Sequence, residues 1–145
     1  MDFSPVTAFV AGFPDFIMQL GAALALFIIS IIVYVLMTPH KELDLIRAGN
    51  PSASLAFAGV VIGLAIPLGA CLANAFGLFD LVIWGAVTLL IQLIAFRVTD
   101  MFLHHLPRRI AEGDVAAAIF LLSMKIGLAI VLSGAVADPA LRLFG

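Results

Sequence analysis

Charge is scarce in this chain. Of 145 residues only 11% are charged, seven Lys or Arg and nine Asp or Glu, for a net charge of −2. That excludes the basic surface a nucleic-acid partner needs. Cysteine is nearly absent. Cys71 stands alone, so the sequence holds no internal disulfide and no cysteine-based metal site. Neither Lys nor Arg precedes Lys41, and no small-residue cleavage pattern follows the start, so a removable signal peptide is not expected. Paired carboxylates at depth, a nucleophile beside a base, a phosphate loop and a metal signature are all missing, so no catalytic residue, metal ligand or cofactor is assigned and an enzyme is not expected.

What fills the space is hydrocarbon. The chain is 64% hydrophobic, well above the roughly 45–50% of soluble domains. Most of that surface must face lipid, and the partner that follows is the bilayer itself. Four apolar segments fall near 16–37, 53–76, 80–103 and 115–137. Each is close to the ~20 residues that cross a ~30 Å hydrocarbon core as a helix. Strands are excluded because an open edge cannot be satisfied in lipid and no alternating barrel pattern is present. The expected fold is therefore an all-α membrane protein of four transmembrane helices.

The ends of these segments are chemically marked. Asn50 before Pro51 reads as an N-cap with a first-turn proline. Asp114 before Val115 reads as a second N-cap, and its charge suits the helix dipole. Gly49 and Gly113 allow a tight entry into each. "NAFGLFD" (74–80) is a turn whose Phe76 and Phe79, with nearby Trp84, suit the membrane interface. The Phe-rich opening, residues 1–15, reads as an interfacial segment lying along the surface before the first span. Pro67 should kink the second span.

The basic residues set the orientation. Lys41 and Arg47 lie in the 38–52 loop and Arg108 and Arg109 in the 104–114 loop, so both loops should face the cytoplasm and both termini the outside. These loops are where a cytoplasmic protein partner would dock. "PHKELDLI", with Glu42, Asp44 and Arg47, suggests a short amphipathic piece on that surface. His40, His104 and His105 lie there too. Without convergent carboxylates they make a poor metal site.

Shifted by 64 residues, the chain lies on itself. "GNPSASLAFAGVVIGLAIPLGACLAN" (49–74) aligns without a gap to "GDVAAAIFLLSMKIGLAIVLSGAVAD" (113–138). The division is then an interfacial segment at 1–15, a first two-helix repeat at 16–76, a second at 80–137 and a C-terminal tail at 138–145. Two spans per unit make the repeats parallel, related by an axis along the bilayer normal. Gly59 and Gly63 in the second span match Ser123 and Gly127 in the fourth, which predicts a close-packing seam of small residues in both.

The duplicated unit, the segment "LIRAGNPSASLAFAGVVIGLAIPL" (45–68) and the later "RRIAEGDVAAAIFL" (108–121) resemble the bacterial membrane family called domain of unknown function 350, the YjfL-like proteins. The resemblance implies a small inner-membrane protein and carries no catalytic residues.

Polar residues inside the spans are few: Gln92, Arg97 and Asp100 in the third and Lys125 in the fourth. Counted from the span ends, Lys125 and Gln92 sit about 15 Å deep. Arg97 lies about 9 Å from the cytoplasmic end, near enough to snorkel. Asp100 is three residues further on and can pair with Arg97 on one helix face. A central lysine costs roughly 2.5–3.5 kcal/mol to insert. Lys125 could snorkel to a carbonyl or to Gln92, stay neutral, or face water in a cavity. It could also be a tolerated cation without function. The favoured reading turns it inward. Two functions follow. One is a self-associating membrane component or scaffold. The alternative is an oligomeric channel or transport component with Lys125 and Gln92 lining a polar path.

Overall fold

The computed structural model describes residues 4–38 and 41–138. Six helices occur among them: α1 Pro5–Met37, α2 Glu42–Arg47, α3 Pro51–Asn74, α4 Leu78–Phe102, α5 Leu106–Ala111 and α6 Val115–Ala137. The four long ones are each long and apolar enough to cross a membrane. No strand is present among the described residues. His40 and the C-terminal tail beyond Asp138, Arg142 included, lie outside them.

The expected boundary at residue 15 is not a break. α1 is one helix of 33 residues that runs through Pro14. At 1.5 Å per residue it is about 50 Å long, well over the ~30 Å hydrocarbon core. Ser4 caps it, its side-chain oxygen accepting from the Thr7 amide at 3.3 Å. A proline removes one intrahelical bond but does not stop a helix whose apolar surroundings leave the backbone no other partner. α3 likewise continues unbroken through Pro67.

Two connectors join the spans at one end of the bundle, and their backbones repeat. In the first, the Gly49 amide donates to Ile46 O and the Asn50 amide to Leu45 O, both at 3.0 Å. In the second, Gly113 donates to Ile110 O at 3.0 Å and Asp114 to Arg109 O at 2.9 Å. Both pairs form the helix-ending motif that needs a left-handed residue, and Gly49 (φ +83°) and Gly113 (φ +92°) supply it. The next residue caps the following span. Asn50 Oδ1 accepts from the Ser52 amide at 3.0 Å and from Ala53 at 3.2 Å, and Asp114 Oδ1 accepts from Ala117 at 3.1 Å. Asn50 also reaches across: its Nδ2 donates to Ile110 O and Ala111 O at 3.3 and 3.2 Å, tying the connectors together.

α3 and α6 form the central pair. α1 lies against α4 and α3, and the short helices rest on α3 and α6. α3 is the most enclosed element, burying Ala53, Ala56, Val60, Leu64, Leu68 and Cys71 among others. Glycine makes the central contact possible. A Cβ on Gly59 would sit 2.8 Å from Leu122 Cα, and one on Gly63 2.7 Å from the Phe96 ring tip and 3.3 Å from the Lys125 carbonyl oxygen. The seam expected in both repeats is one-sided. Ser123 and Gly127 are exposed on α6, and a Cβ at Gly127 would meet nothing within 4 Å. α6 instead turns Ala118, Leu121, Lys125 and Ala129 inward. Two helices in contact need small residues on only one of them to bring their backbones close.

Candidate functional site

The inward stripe of α6 puts Lys125 where the spans converge, and the side chain is fully buried within a single chain. α4 brings Gln92, Phe96 and Asp100 to the same side by their four-residue spacing, and the last turns of α1 before the first connector bring Tyr34. The Lys125 ammonium donates to the Tyr34 hydroxyl oxygen at 2.8 Å. It pairs with Asp100 Oδ1 at 3.3 Å. Tyr34 in turn donates to Glu42 Oε1 at 3.4 Å, a long bond. Phe96 closes the other side, its ring edge-on to Tyr34 at 6.2 Å and 5.3 Å from Lys125 Nζ. Nζ lies 4.8 Å from the Tyr34 ring centroid yet 2.8 Å from its hydroxyl, so the hydrogen bond and not the ring face carries that contact.

This answers how a lysine is tolerated at that depth. A buried charge is stable only when it is paired and its remaining protons are satisfied. Asp100 supplies the counter-ion and Tyr34 the second acceptor. The expected partners differ from these. The spacing allows Asp100 to pair with Arg97, three residues before it on α4. Arg97 is exposed and makes no ion pair among the described residues, while Asp100 turns inward to Lys125. Arg97 can reach water along its own stem, whereas Lys125 cannot, so the buried cation takes the carboxylate. Gln92 is not the lysine's partner either. It is fully buried, and neither amide heteroatom has a hydrogen-bond partner among the described residues.

The cluster opens toward the connectors. A cavity of about 350 Å³ there is lined by Thr38, Lys41, Glu42, Asp100, His104 and Arg108, among others. Burial pushes the Glu42 carboxyl above its usual range, with the nearby Lys125 charge opposing the shift. At the cavity rim Arg108 is held by Glu112 at 3.2 Å. The rings of His104 and His105 lie 3.7 Å apart, and among the described residues no three His, Cys, Asp or Glu side chains gather as a metal would require. Away from the connectors the interior turns apolar: Tyr34 and Phe96 adjoin Val60, Leu64, Leu68, Leu89 and Leu93. Beyond them, the Cys71 thiol donates to Thr88 Oγ1 at 3.5 Å.

Two members of the cluster escape a reading of the spans alone. Tyr34 is the only tyrosine in the chain, which is the one signal that singles it out. Glu42 sits in the amphipathic piece expected on the membrane surface, but it turns toward the bundle.

Comparison with known proteins gives a consistent placement. Residues 8–136 match the sequence profile of the family described as Domain of Unknown Function (DUF350). The chain is similar to the UPF0719 inner membrane protein YjfL of Escherichia coli (strain K12), 37% identical over 97 residues, which cover 67% of this chain and 74% of the relative. The same protein from Escherichia coli O157:H7 matches with the same identity and coverage. No solved structure matches the chain at a significant level.

Proposed function

The chain belongs to the DUF350 family, and from that premise we propose that it is a self-associating, non-catalytic component of the bacterial inner membrane. Its connectors face the cytoplasm, where a protein partner can dock at 38–52 and 104–114, and its termini face outward. The matching connectors support a duplicated two-helix unit, the two copies running parallel.

The observation that carries self-association is the unused half of the small-residue pattern. Gly59 is consumed in the contact with α6 and Gly63 in contacts with α4 and α6, whereas Ser123 and Gly127 remain open on the outer face of α6. In lipid, where no hydrophobic effect drives helices together, such a pair favours backbone approach by another helix. A second copy is the partner this reading assigns. The channel alternative is less favoured, because Lys125 and Gln92 are enclosed within one chain and the interior beyond Phe96 is apolar apart from Gln92 and Thr88.

Energy transfer between donor- and acceptor-labelled copies in proteoliposomes tests the reading. Transfer should rise with protein-to-lipid ratio and fall sharply in Gly127→Leu. A wild type that stays monomeric at all ratios sinks self-association. An anion conductance abolished by Lys125→Met would restore the channel.

A further inference from the structure

Asp100, Lys125, Tyr34 and Glu42 form one unbroken line of polar contacts at 3.3, 2.8 and 3.4 Å. Its middle, Lys125, is fully buried against Phe96, and both ends, Asp100 and Glu42, line the cavity at the connector face. The charges along the line do not balance. Two carboxylates face one ammonium. Lys125 touches Asp100 directly and reaches Glu42 only through the Tyr34 hydroxyl, so Glu42 holds the uncompensated charge. The groups around it are Tyr34 from α1, Lys41 beside it in the chain, Asp100 from α4 and Lys125 from α6, with Asp44 and Arg47 of its own helix, paired to each other at 3.9 Å, on the outer side. α3 contributes no charged side chain. Across the cavity stand His104 and Arg108, the latter engaged by Glu112.

We propose that Glu42 is a proton-binding site, loaded from water in the connector-face cavity, and that its proton sets the hydrogen-bond direction of the Tyr34–Lys125–Asp100 cluster. In the unprotonated state Tyr34 donates to Glu42 and accepts from Lys125, so the single ammonium serves both carboxylates. When a hydronium in the cavity passes its proton to a Glu42 oxygen, one O–H bond forms, one breaks and water is left. Glu42 then becomes a donor. The Tyr34 oxygen keeps one lone pair for Lys125 and has a second to receive it, the Tyr34 hydroxyl proton turns away from Glu42 toward the Thr38 side chain, and Asp100 is the one carboxylate left to balance the ammonium. The site binds a proton at Glu42 and reports it to the cluster through Tyr34. Burial of the Glu42 carboxyl favours the protonated form and supports this assignment. The inference is independent of self-association, since all four groups belong to one chain.

Infrared difference spectroscopy of the full-length protein in phosphatidylethanolamine–phosphatidylglycerol vesicles tests it, following the carbonyl band of protonated carboxyl groups against pH. The wild type should show a band titrating above the ordinary carboxylate range. Glu42→Gln should remove it, and Asp44→Asn, which alters an exposed carboxylate on the same helix, should keep it. Tyr34→Phe removes a donor to the carboxylate and should shift the midpoint upward. A band that persists in Glu42→Gln, or a midpoint unmoved in Tyr34→Phe, overturns the proposal.

Discussion

The two halves of the chain share a connector almost bond for bond and differ in what they carry into the membrane. Shifted by 64 positions, Gly49, Asn50 and their helix-ending hydrogen bonds fall on Gly113, Asp114 and theirs. The side chains do not follow. Lys125 falls on Val61, Asp100 on Leu36, Tyr34 on Val98 and Glu42 on Leu106. Each half therefore supplies two members of the polar cluster from places where the other half is apolar. A backbone rule can recur while the chemistry diverges, because a cap depends on one or two residues and its own φ/ψ. A buried charge depends on what three other helices present to it.

The sharpest way to break this asymmetry is to remove the ammonium. Lys125→Met should cost about 2–3 kcal/mol, below the range for a fully buried pair, by leaving the half-buried Asp100 without a counter-ion at the cavity wall. Asp100→Asn added to it should recover much of the loss, since two neutral groups need no pairing. Thermal unfolding in detergent measures both. Strictly additive losses would mean the two residues do not pair.

The small-residue pattern gives a second contrast. Gly59→Ala forces a methyl against the α6 backbone and should cost about 1–3 kcal/mol. Gly127→Ala, which meets nothing within 4 Å, should leave the thermal midpoint of the monomer unchanged. Equal effects would put the seam on both helices.

The connectors should behave alike. Gly49→Ala and Gly113→Ala each place an L side chain in the left-handed region and should each cost about 1–2 kcal/mol. A large difference between them, read from the same melts, would show that the shared hydrogen-bond pattern does not carry shared energetics.

The smallest effect separates the caps by pH. The Ala117 amide, with Arg109, holds the Asp114 carboxyl below its usual value. A depressed folded pKa contributes stability that is complete above the unfolded value and is lost as pH falls through the folded one. Asn50 does not titrate. Asp114→Asn should therefore flatten the acid side of the stability curve slightly, whereas Asn50→Asp, which sets a carboxylate oxygen against the Ile110 and Ala111 carbonyls, should lose stability at neutral pH and regain part of it as the carboxyl protonates. An acid limb that ignores both changes would mean the second cap does not depend on its charge.

Much of this architecture was legible in the residues. Three of the four long helices begin and end within about two residues of the apolar runs, because in lipid the backbone has no choice but to close on itself. The caps at Asn50 and Asp114 were equally plain, since their side-chain chemistry acts on the next three residues. The N-terminal end of α1 was not, because a proline and a cluster of phenylalanines mark an interface as readily as they continue a helix. The inward turn of Lys125 could be argued from cost alone. Its partners could not: Arg97 and Gln92 are near in sequence or in depth, but the rotation of α1, α4 and α6 about their axes decides which side chains meet.

The residues by themselves determined a helical chain for the bilayer, the extent of most of its spans and the chemistry of its two connectors. All of these follow from local rules: hydrocarbon thickness, backbone hydrogen bonding and capping. Tertiary structure alone decided that Asp100 answers Lys125, that Tyr34 bridges to Glu42, and that Gly59 and Gly63 of α3 are spent on packing while Gly127 of α6 is not. Helices apolar on every side carry almost no signal of which face turns inward, so that choice is made only when the four are brought together.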